Sequence, residues 1–281
     1  MGISRRCSAL VAAAFLTSSS ISAQSAPTLE QLLDRMGAYL IAYERDISTV
    51  VADERFEQKY YAGGNVAVAV LLESEVAFMR LPGDAEWLGF RDVRKSNDKP
   101  VRLPGPTIAE LLTLPAPDMT KAVAIANASA IHNLGLPRTI NTPTSPLHII
   151  HPRNRPAHRF ELDDEDSVRG HRTTVISFVE TRRPALVREP GGESLVSSGR
   201  VWVDARTGVV WRVQWHYHRE SSRGRPPHVR VEFEPHAGLQ MMVPRELRES
   251  FYLTLMGRGE GRATYRNFRR FGTSARIVPQ P

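Results

Sequence analysis

Four histidines in the C-terminal half have a spacing that suits a metal site. His216 and His218 are two residues apart in a segment of alternating apolar and polar residues, so in a β-strand both side chains project from one face. His228 or His236 from the next strand would supply a further imidazole to a transition metal. No carboxylate or fixed third ligand accompanies them, and their face is the polar one. We therefore interpret them as solvated histidines and predict no metal site.

A run of four acidic residues, Asp163 to Asp166, could offer oxygen ligands to calcium. The same composition is typical of an acidic hairpin turn that holds no ion. We favour the turn, which would join strands at 160–163 and 170–181.

Sequence motifs for common enzyme sites are absent. The chain has no Gly-x-x-x-x-Gly-Lys phosphate loop, no His-Glu-x-x-His zinc helix and no Gly-x-Ser-x-Gly nucleophile elbow. Gly257, Gly259 and Gly261 alternate with charged residues between two predicted strands, which favours a hairpin loop over a dinucleotide site. We predict no catalytic residue and no cofactor, and hence a protein that is not an enzyme.

The aromatic residues of the C-terminal half are open to two interpretations. In the segment 209–217, valine, tryptophan and tyrosine alternate with polar residues and share one face of a strand. They are either ordinary core or the lining of an apolar cavity that receives an acyl chain. The candidate lining set is Trp202, Trp211, Val213, Trp215, Tyr217, Val231 and Phe233.

These residues belong to a series of segments with two-residue periodicity. A strand over 65–80 pairs with 47–61 through Gly63-Gly64, and a second hairpin spans 87–101 with its turn near Ser96-Asn97-Asp98. Further strands are predicted at 200–204, 209–218, 229–233, 247–255 and 262–271. The result is an antiparallel meander with one strongly apolar face, which must close into a barrel or be covered by helices.

Three helices are available to cover that face. Leucines and other apolar residues recur at steps of three and four between Thr28, a plausible N-cap, and Glu44. Shorter helices are predicted within 107–114 and 118–134. Five prolines interrupt any period between Pro137 and Pro156, which indicates an irregular connection across the surface. Neither side of it looks self-contained, so residues 24–281 are interpreted as one domain.

The N-terminus predicts export. Residues 1–23 contain Arg5 and Arg6, an apolar stretch and a Ser-rich end, which is typical of a secretory signal peptide. Cleavage removes Cys7, the single cysteine, so the mature chain has no disulfide. No apolar run reaches the length of a membrane span. We expect a periplasmic protein without a transmembrane segment.

The charge of the chain is uneven. Its 281 residues carry a formal charge of +7, with 41% hydrophobic residues, which excludes a disordered chain. Residues 24–150 have a net charge of −3, whereas 151–281 have 23 basic and 15 acidic residues, a net charge of +8. An anionic envelope surface is therefore a candidate partner, although a merely solvated basic surface has the same composition. Export weakens a nucleic-acid interpretation.

Two sets of motifs resemble known proteins. In the last third of this chain, Gly199-Arg-Val-Trp-Val-Asp204, followed by Thr207-Gly208 and Arg212, resembles a pattern of the lipoprotein-carrier superfamily, periplasmic proteins similar to the outer-membrane lipoprotein-sorting (LolA-like) chaperone. The resemblance implies an α+β, mainly β fold: a strongly curved antiparallel sheet, an incomplete barrel, with helices over its concave apolar face. It also implies that lipid anchors bind there.

A wider set of motifs is similar to a group of uncharacterised secreted bacterial proteins with no known activity. The set comprises Ser74-Glu75 with Phe78, 87–93, Asn133 to Gly135 with Arg138 and Asn141, 243–246 with Glu249, and 263–268. It spans nearly all of the mature chain.

Three hypotheses follow. The first is a non-enzymatic carrier of a lipid, an acylated protein or another amphiphile. The second is an envelope interaction or assembly module whose cavity is filled by its own side chains, with Arg223, Arg225 and Arg230 facing an anionic partner. The third, an exported envelope hydrolase, is retained only because active sites need no local motif.

Overall fold

A computed structural model describes residues 26–80, 87–102, 104–114, 118–135, 138–188, 192–220, 226–254 and 257–271. The predicted signal peptide lies outside the described residues, as do Arg223 and Arg225.

The helices begin at polar caps that the sequence supplies. Thr28 caps α1 and Thr107 caps α2, each in a capping box with the residue three positions on, and Asp118 caps α3. The helices are α1 Leu29–Ile47, α2 Ile108–Leu112, α3 Met119–Ala130, α4 Ser145–Ile149 and the 3-10 helix η1 Pro152–Ala157.

One antiparallel sheet contains every strand of the described chain. The strands are β1 Val50–Ala62, β2 Asn65–Arg80, β3 Trp87–Ser96, β4 Lys99–Pro100, β5 His158–Val168, β6 His171–Glu180, β7 Val187–Arg188, β8 Ser194–Val203, β9 Val210–Arg219, β10 His228–His236, β11 Met241–Thr254 and β12 Gly257–Arg270. Their order is β4-β3-β2-β1-β12-β11-β10-β9-β8-β6-β5, with β7 paired to β8. The sheet is not closed into a barrel.

The sheet is strongly curved. The short helix α4 contacts both β3 and β9, although five strands separate these two in the sheet order. A single five-residue helix can touch both only if the sheet bends around it. The predicted fold class, a mainly β incomplete barrel with helices in its concavity, is confirmed.

Helix α1 lies inside this concavity. Its apolar positions recur at helical spacing and join the inward residues of the sheet in one core. Tyr43 meets Phe233 edge to face, with ring centroids 6.1 Å apart. The buried apolar residues of α1 are Leu32, Leu33, Met36, Leu40, Tyr43 and Ile47.

Helices α2 and α3, which the sequence predicted over the concave face, instead pack on the other face of the sheet. Ile108 and Ile125 join a second core with Val51 and Phe90, whose neighbours Ala52 and Arg91 face inward. The chain then passes around the free edge of β3, where the Val93 amide donates to Ser129 Oγ at 3.4 Å.

Three predictions about strand and loop boundaries are also wrong. Strand β5 runs through the acidic run 163–166 with a register shift, and the turn is at Arg169-Gly170, where both residues have positive φ. The glycines 257, 259 and 261 lie within β12, not in a hairpin loop. The Pro-rich connection contains α4 and η1, because Pro146 and Pro152 sit in first turns, where proline loses no hydrogen bond.

Candidate functional site

Five of the seven predicted lining residues meet on the concave face of the sheet. Val213, Trp215 and Tyr217 alternate along β9, and β10 places Val231 beside Val213 and Phe233 further along. All five are buried in one core with the apolar residues of α1, and Trp215 is 0% exposed. Tyr43 of α1 meets Phe233, whereas α4 is the helix that contacts β9. The Trp215 and Tyr217 rings are 4.9 Å apart. They form the apolar half of the concave face.

The other two predicted lining residues, Trp202 and Trp211, lie elsewhere. Trp202 pairs with Arg212 across β8 and β9, on the outer face of the sheet. Its indole N–H donates to Asp166 Oδ2 at 2.8 Å, and the Arg212 guanidinium lies 5.0 Å from its ring centroid. Trp211 follows a register shift of β9 and stacks on His171, with ring centroids 3.8 Å apart.

We call α1, α4 and η1 the helical cover. Two close contacts fix the position of α1 within it. A Cβ at Gly37 would lie 3.6 Å from Pro152 Cβ, so α1 and η1 touch at this point. A Cβ at Gly208 would collide with the backbone carbonyl of Arg35. Gly208 also has φ +77°, so the β8–β9 turn needs glycine both for its conformation and for the passage of α1.

Ion pairs hold α1 to η1. Arg153 donates to Glu44 at 2.5 Å, and Arg155 reaches Asp34 at 2.9 Å and Glu30 at 2.8 Å. Glu44 is buried, whereas Asp34 and Glu30 are exposed. Since exposed pairs stabilise little, these contacts set geometry more than they add stability.

The second half of the concave face is polar. Arg91 on β3 and Glu54 on β1 form a buried ion pair, in which Arg91 Nη2 donates to Glu54 Oε1 at 2.8 Å. Burial alone would lower the pKa of Arg91, but the charge and hydrogen bonds of Glu54 raise it above its ordinary value. Arg91 also donates to the backbone carbonyl of Asn141 at 3.2 Å.

A second buried ion pair joins the segment 131–144 to β11. Arg138 Nη2 donates to Glu249 Oε1 at 2.7 Å, and the Arg138 guanidinium lies 3.8 Å from the centroid of the Phe251 ring. Asn141 donates to Asn133 Oδ1 at 2.9 Å and to Glu249 Oε1 at 3.4 Å. We call Glu54, Arg91, Asn133, Arg138, Asn141 and Glu249 the buried polar network.

This network collects most of the motifs that resemble the uncharacterised secreted group. Arg91, Asn133, Arg138, Asn141 and Glu249 are far apart in sequence and adjacent in space. The sequence alone gives these residues no role. An arginine and two asparagines in a segment with few apolar residues are the signal that could have placed a buried network there.

The network is balanced in charge and suited to anchoring. Its two arginines face two glutamates, and its amides satisfy backbone carbonyls such as that of Arg138, which accepts from Asn133 at 2.7 Å. Arginine is a poor proton donor or acceptor, so the arrangement offers little acid-base chemistry. It holds the segment 131–144 firmly on the sheet.

The histidines of the predicted metal pattern are only partly together. His216 and His228 are cross-strand neighbours, with ring centroids 5.6 Å apart, and Ser250 Oγ lies 2.7 Å from His228 Nδ1. His236 instead packs against Phe268 and accepts from the Leu239 amide. Within the described ranges, no group of three or more His, Cys, Asp or Glu residues could hold a metal ion.

Two cavities lie away from the predicted lining residues. A groove of about 240 Å³ runs along β1, β2, β3 and β12, and a crevice of about 10 Å³ separates α3 from β3. The groove is lined by Asp53, Glu54, Arg55, Glu73, Ser74, Glu75, Arg94 and Arg266. Its acidic and basic side chains largely pair with one another or with neighbours such as Arg269 and Lys95.

Comparisons with known proteins find similar structures but no matching sequence family. No family model and no curated protein matches the sequence. Among solved structures, a domain described as an outer membrane lipoprotein-sorting protein domain from Vibrio parahaemolyticus matches 83% of this chain and 92% of its own, with a TM-score of 0.45 and 9% identity. The chain is similar in fold to this domain. The resemblance suggested by the sequence is confirmed to that extent.

Two further structures match most of the chain. A DUF1329 family protein from Desulfovibrio piger is 11% identical over 85% of this chain and 92% of its own, with a TM-score of 0.41. A LolA superfamily protein from Nitrosomonas europaea is 11% identical over 90% and 96%, with a TM-score of 0.33. At these identities the likeness concerns the fold alone.

In the described part of the chain, no helix combines the length and hydropathy needed to span a membrane.

Proposed function

We propose that this protein is an exported, non-enzymatic periplasmic binding protein that takes the acyl chain of a lipid or acylated protein between its concave sheet face and α1. The observation that carries the proposal is an apolar concave face on an open sheet, covered by a separate helix instead of by closure of the barrel. An acyl chain would replace the side chains of α1 and α4 that cover the apolar residues of β9 and β10. Removal of apolar surface from water contributes about 25 cal/mol per Å², whether an acyl chain or the protein's own side chains cover the face.

The two parts of the covering chain are attached differently. The segment 131–144 is fixed to the sheet by the buried pair of Arg138 and Glu249. Helix α1 is tied to η1, and two side-chain hydrogen bonds tie it to the sheet and its turns: Arg35 Nη1 to the Ala205 carbonyl at 2.6 Å and Arg270 Nη1 to the Asp46 carbonyl at 3.4 Å. The unit of α1 and η1 is therefore the part that moves to admit a ligand.

Quenching of tryptophan fluorescence by a brominated fatty acid tests the site. Bromine quenches only nearby indoles, so a chain under α1 quenches Trp215 on the concave face and spares Trp202 on the outer face. We expect the quenched component to disappear in Trp215→Phe and to persist in Trp202→Phe. Trp215→Phe is a mild change, since the buried Trp215 Nε1 has no hydrogen-bond partner within the described residues. Quenching that survives in Trp215→Phe would reject the site.

A second candidate is an envelope interaction module whose concavity stays permanently filled. The complete burial of Trp215, Val213 and Val231 favours it. Organic extraction and mass spectrometry of mature protein prepared without detergent separates the two candidates. A stoichiometric lipid supports the carrier, whereas a ligand-free protein that also ignores the brominated fatty acid supports the module.

A further inference from the structure

Three arginines stand in one row across the outer face of the sheet. Arg230 on β10, Arg248 on β11 and Arg262 on β12 are direct cross-strand partners. Like charges placed directly opposite each other destabilise a sheet. With adjacent strands about 4.8 Å apart, the row, which we call the arginine row, spans about 10 Å.

Carboxylates lie beneath the arginine row. Glu246 has a side-chain exposure of 9%, against 57% for Arg248 and 54% for Arg262. Glu232 is 12% exposed and pairs with Arg230, which is 40% exposed, and with Arg212, which is 15% exposed. The negative charge is thus covered and the positive charge faces solvent. The four arginines share Glu232 and Glu246. Further negative charge lies at the two ends of the group, where Asp166 is 4.0 Å from Arg212 and Glu57 is the cross-strand partner of Arg262.

Glu246 also fixes which atoms of the guanidinium groups remain available. Arg248 Nε donates to Glu246 Oε1 at 2.5 Å, and Arg262 Nε donates to Glu246 Oε2 at 2.7 Å. These are the hydrogen bonds that the two guanidinium groups make within the described residues. Both Nη atoms of each arginine therefore remain available. Together they form the edge of the guanidinium group that binds phosphate oxygens in a bidentate manner. Burial opposes ionisation of Glu246, but the two arginines lower its pKa, so it stays charged.

We infer that the arginine row is a docking surface for the phosphate headgroups of an anionic lipid bilayer, with Glu246 as a positioning residue. The row is too wide for one phosphate and stands on the outer face of a curved sheet, so it meets a flat array of anions better than it encloses a small ion. Each arginine near an anionic bilayer surface strengthens binding about five-fold, so three within about 10 Å give a measurable attraction. This inference does not depend on the acyl-chain site, which lies on the opposite face.

Vesicle flotation of the mature protein tests the inference. The probes are vesicles of phosphatidylglycerol mixed with phosphatidylcholine, and vesicles of phosphatidylcholine alone. We expect binding only to the anionic vesicles, with loss at high salt because exposed charges are screened. Arg248→Gln with Arg262→Gln is expected to lower the partition about thirty-fold. Binding to phosphatidylcholine alone, or binding that resists salt, would overturn the inference and point to the apolar concave face instead.

Two further variants test whether binding depends on the arrangement of the arginine row or only on the net charge of the protein. Arg159→Gln with Arg172→Gln removes the same charge from exposed arginines on β5 and β6, and is expected to change the partition less than three-fold. Glu246→Gln raises the net charge by one. It should nevertheless weaken binding several-fold, because Arg248 and Arg262 lose the contact that orients them. Tighter binding of Glu246→Gln, or an equal loss in the control pair, would show that only net charge matters. Thermal unfolding of each variant confirms that it is folded.

Discussion

Arg138 and Glu249, 111 residues apart in sequence, form a hydrogen-bonded ion pair of 2.7 Å with side-chain exposures of 9% and 1%. The pair joins the chain that enters the concavity to the central strands of the sheet. Glu249 Oε2 is buried as well and accepts no hydrogen bond within the described ranges. The carboxylate therefore depends heavily on Arg138 for compensation of its charge.

Breaking this pair from one side should be costly. Arg138→Met leaves Glu249 as a buried charge without its main partner, and we expect a loss of about 3 to 5 kcal/mol in the free energy of unfolding. Arg138→Met with Glu249→Gln removes both charges and should recover at least half of that loss. Urea unfolding of the wild type, Arg138→Met, Glu249→Gln and the double variant measures this double-mutant cycle. A single variant that loses less than 1 kcal/mol would mean that solvent reaches Glu249.

The turn at Gly208 should determine how closely α1 packs against the β8–β9 turn. In Gly208→Ala, the new methyl group meets the Arg35 carbonyl, and the residue must also hold φ +77°. We expect a loss of about 2 to 4 kcal/mol from crowding and backbone strain together. Hydrogen exchange should rise first in residues 29–47. Gly170→Ala is the matched control, because it has φ +83° but no atom within 4 Å of the new Cβ. If exchange in α1 is unchanged, α1 does not depend on this contact.

The sequence predicted most of the scaffold and only part of the site. Alternation along β9 and helical spacing in α1 follow directly from burial, so these elements were predictable. The bounds of β5 were not, since the acidic residues 163–166 stay in the strand at an exposed edge of the sheet, where both faces tolerate charge. Trp202 was grouped with Trp215 because both are aromatic, whereas strand register decides the face. The buried polar network depends on contacts between distant residues, which no local pattern shows.

Acid should weaken the packing of α4 in the protein, because α4 contains the half-buried His148. Burial, followed by the charge of Arg153, lowers the pKa of His148 to about 4 from an ordinary 6.5. Between these two values the unfolded chain binds a proton that the folded protein does not, so stability is lost as the pH falls from 6.5 toward 4. The contribution of His148 is about 3 kcal/mol at full effect.

His148→Gln isolates this contribution from the other histidines. Desolvation also lowers the pKa values of buried His158 and of half-buried His216 and His228, so the wild type keeps part of its acid sensitivity whatever happens at position 148. We expect the variant to unfold at nearly the wild-type urea concentration at pH 7.5 and to lose less stability than the wild type at pH 5. Parallel losses in the two proteins would show that His148 is solvated in the folded state.

A disulfide between α1 and η1 tests whether the two helices move as one unit. The Cβ positions of residues 37 and 152 lie 3.6 Å apart, within the range of natural disulfides, and the mature chain expected after cleavage has no cysteine to compete. Gly37→Cys with Pro152→Cys should therefore oxidise readily and raise the midpoint of thermal unfolding relative to the reduced form. Because the proposed entry route lies between α1 and the sheet, the oxidised protein should bind the brominated fatty acid within two-fold of the reduced protein. If oxidation abolishes binding and reduction restores it, the ligand enters between α1 and η1, and α1 must separate from η1 to admit it.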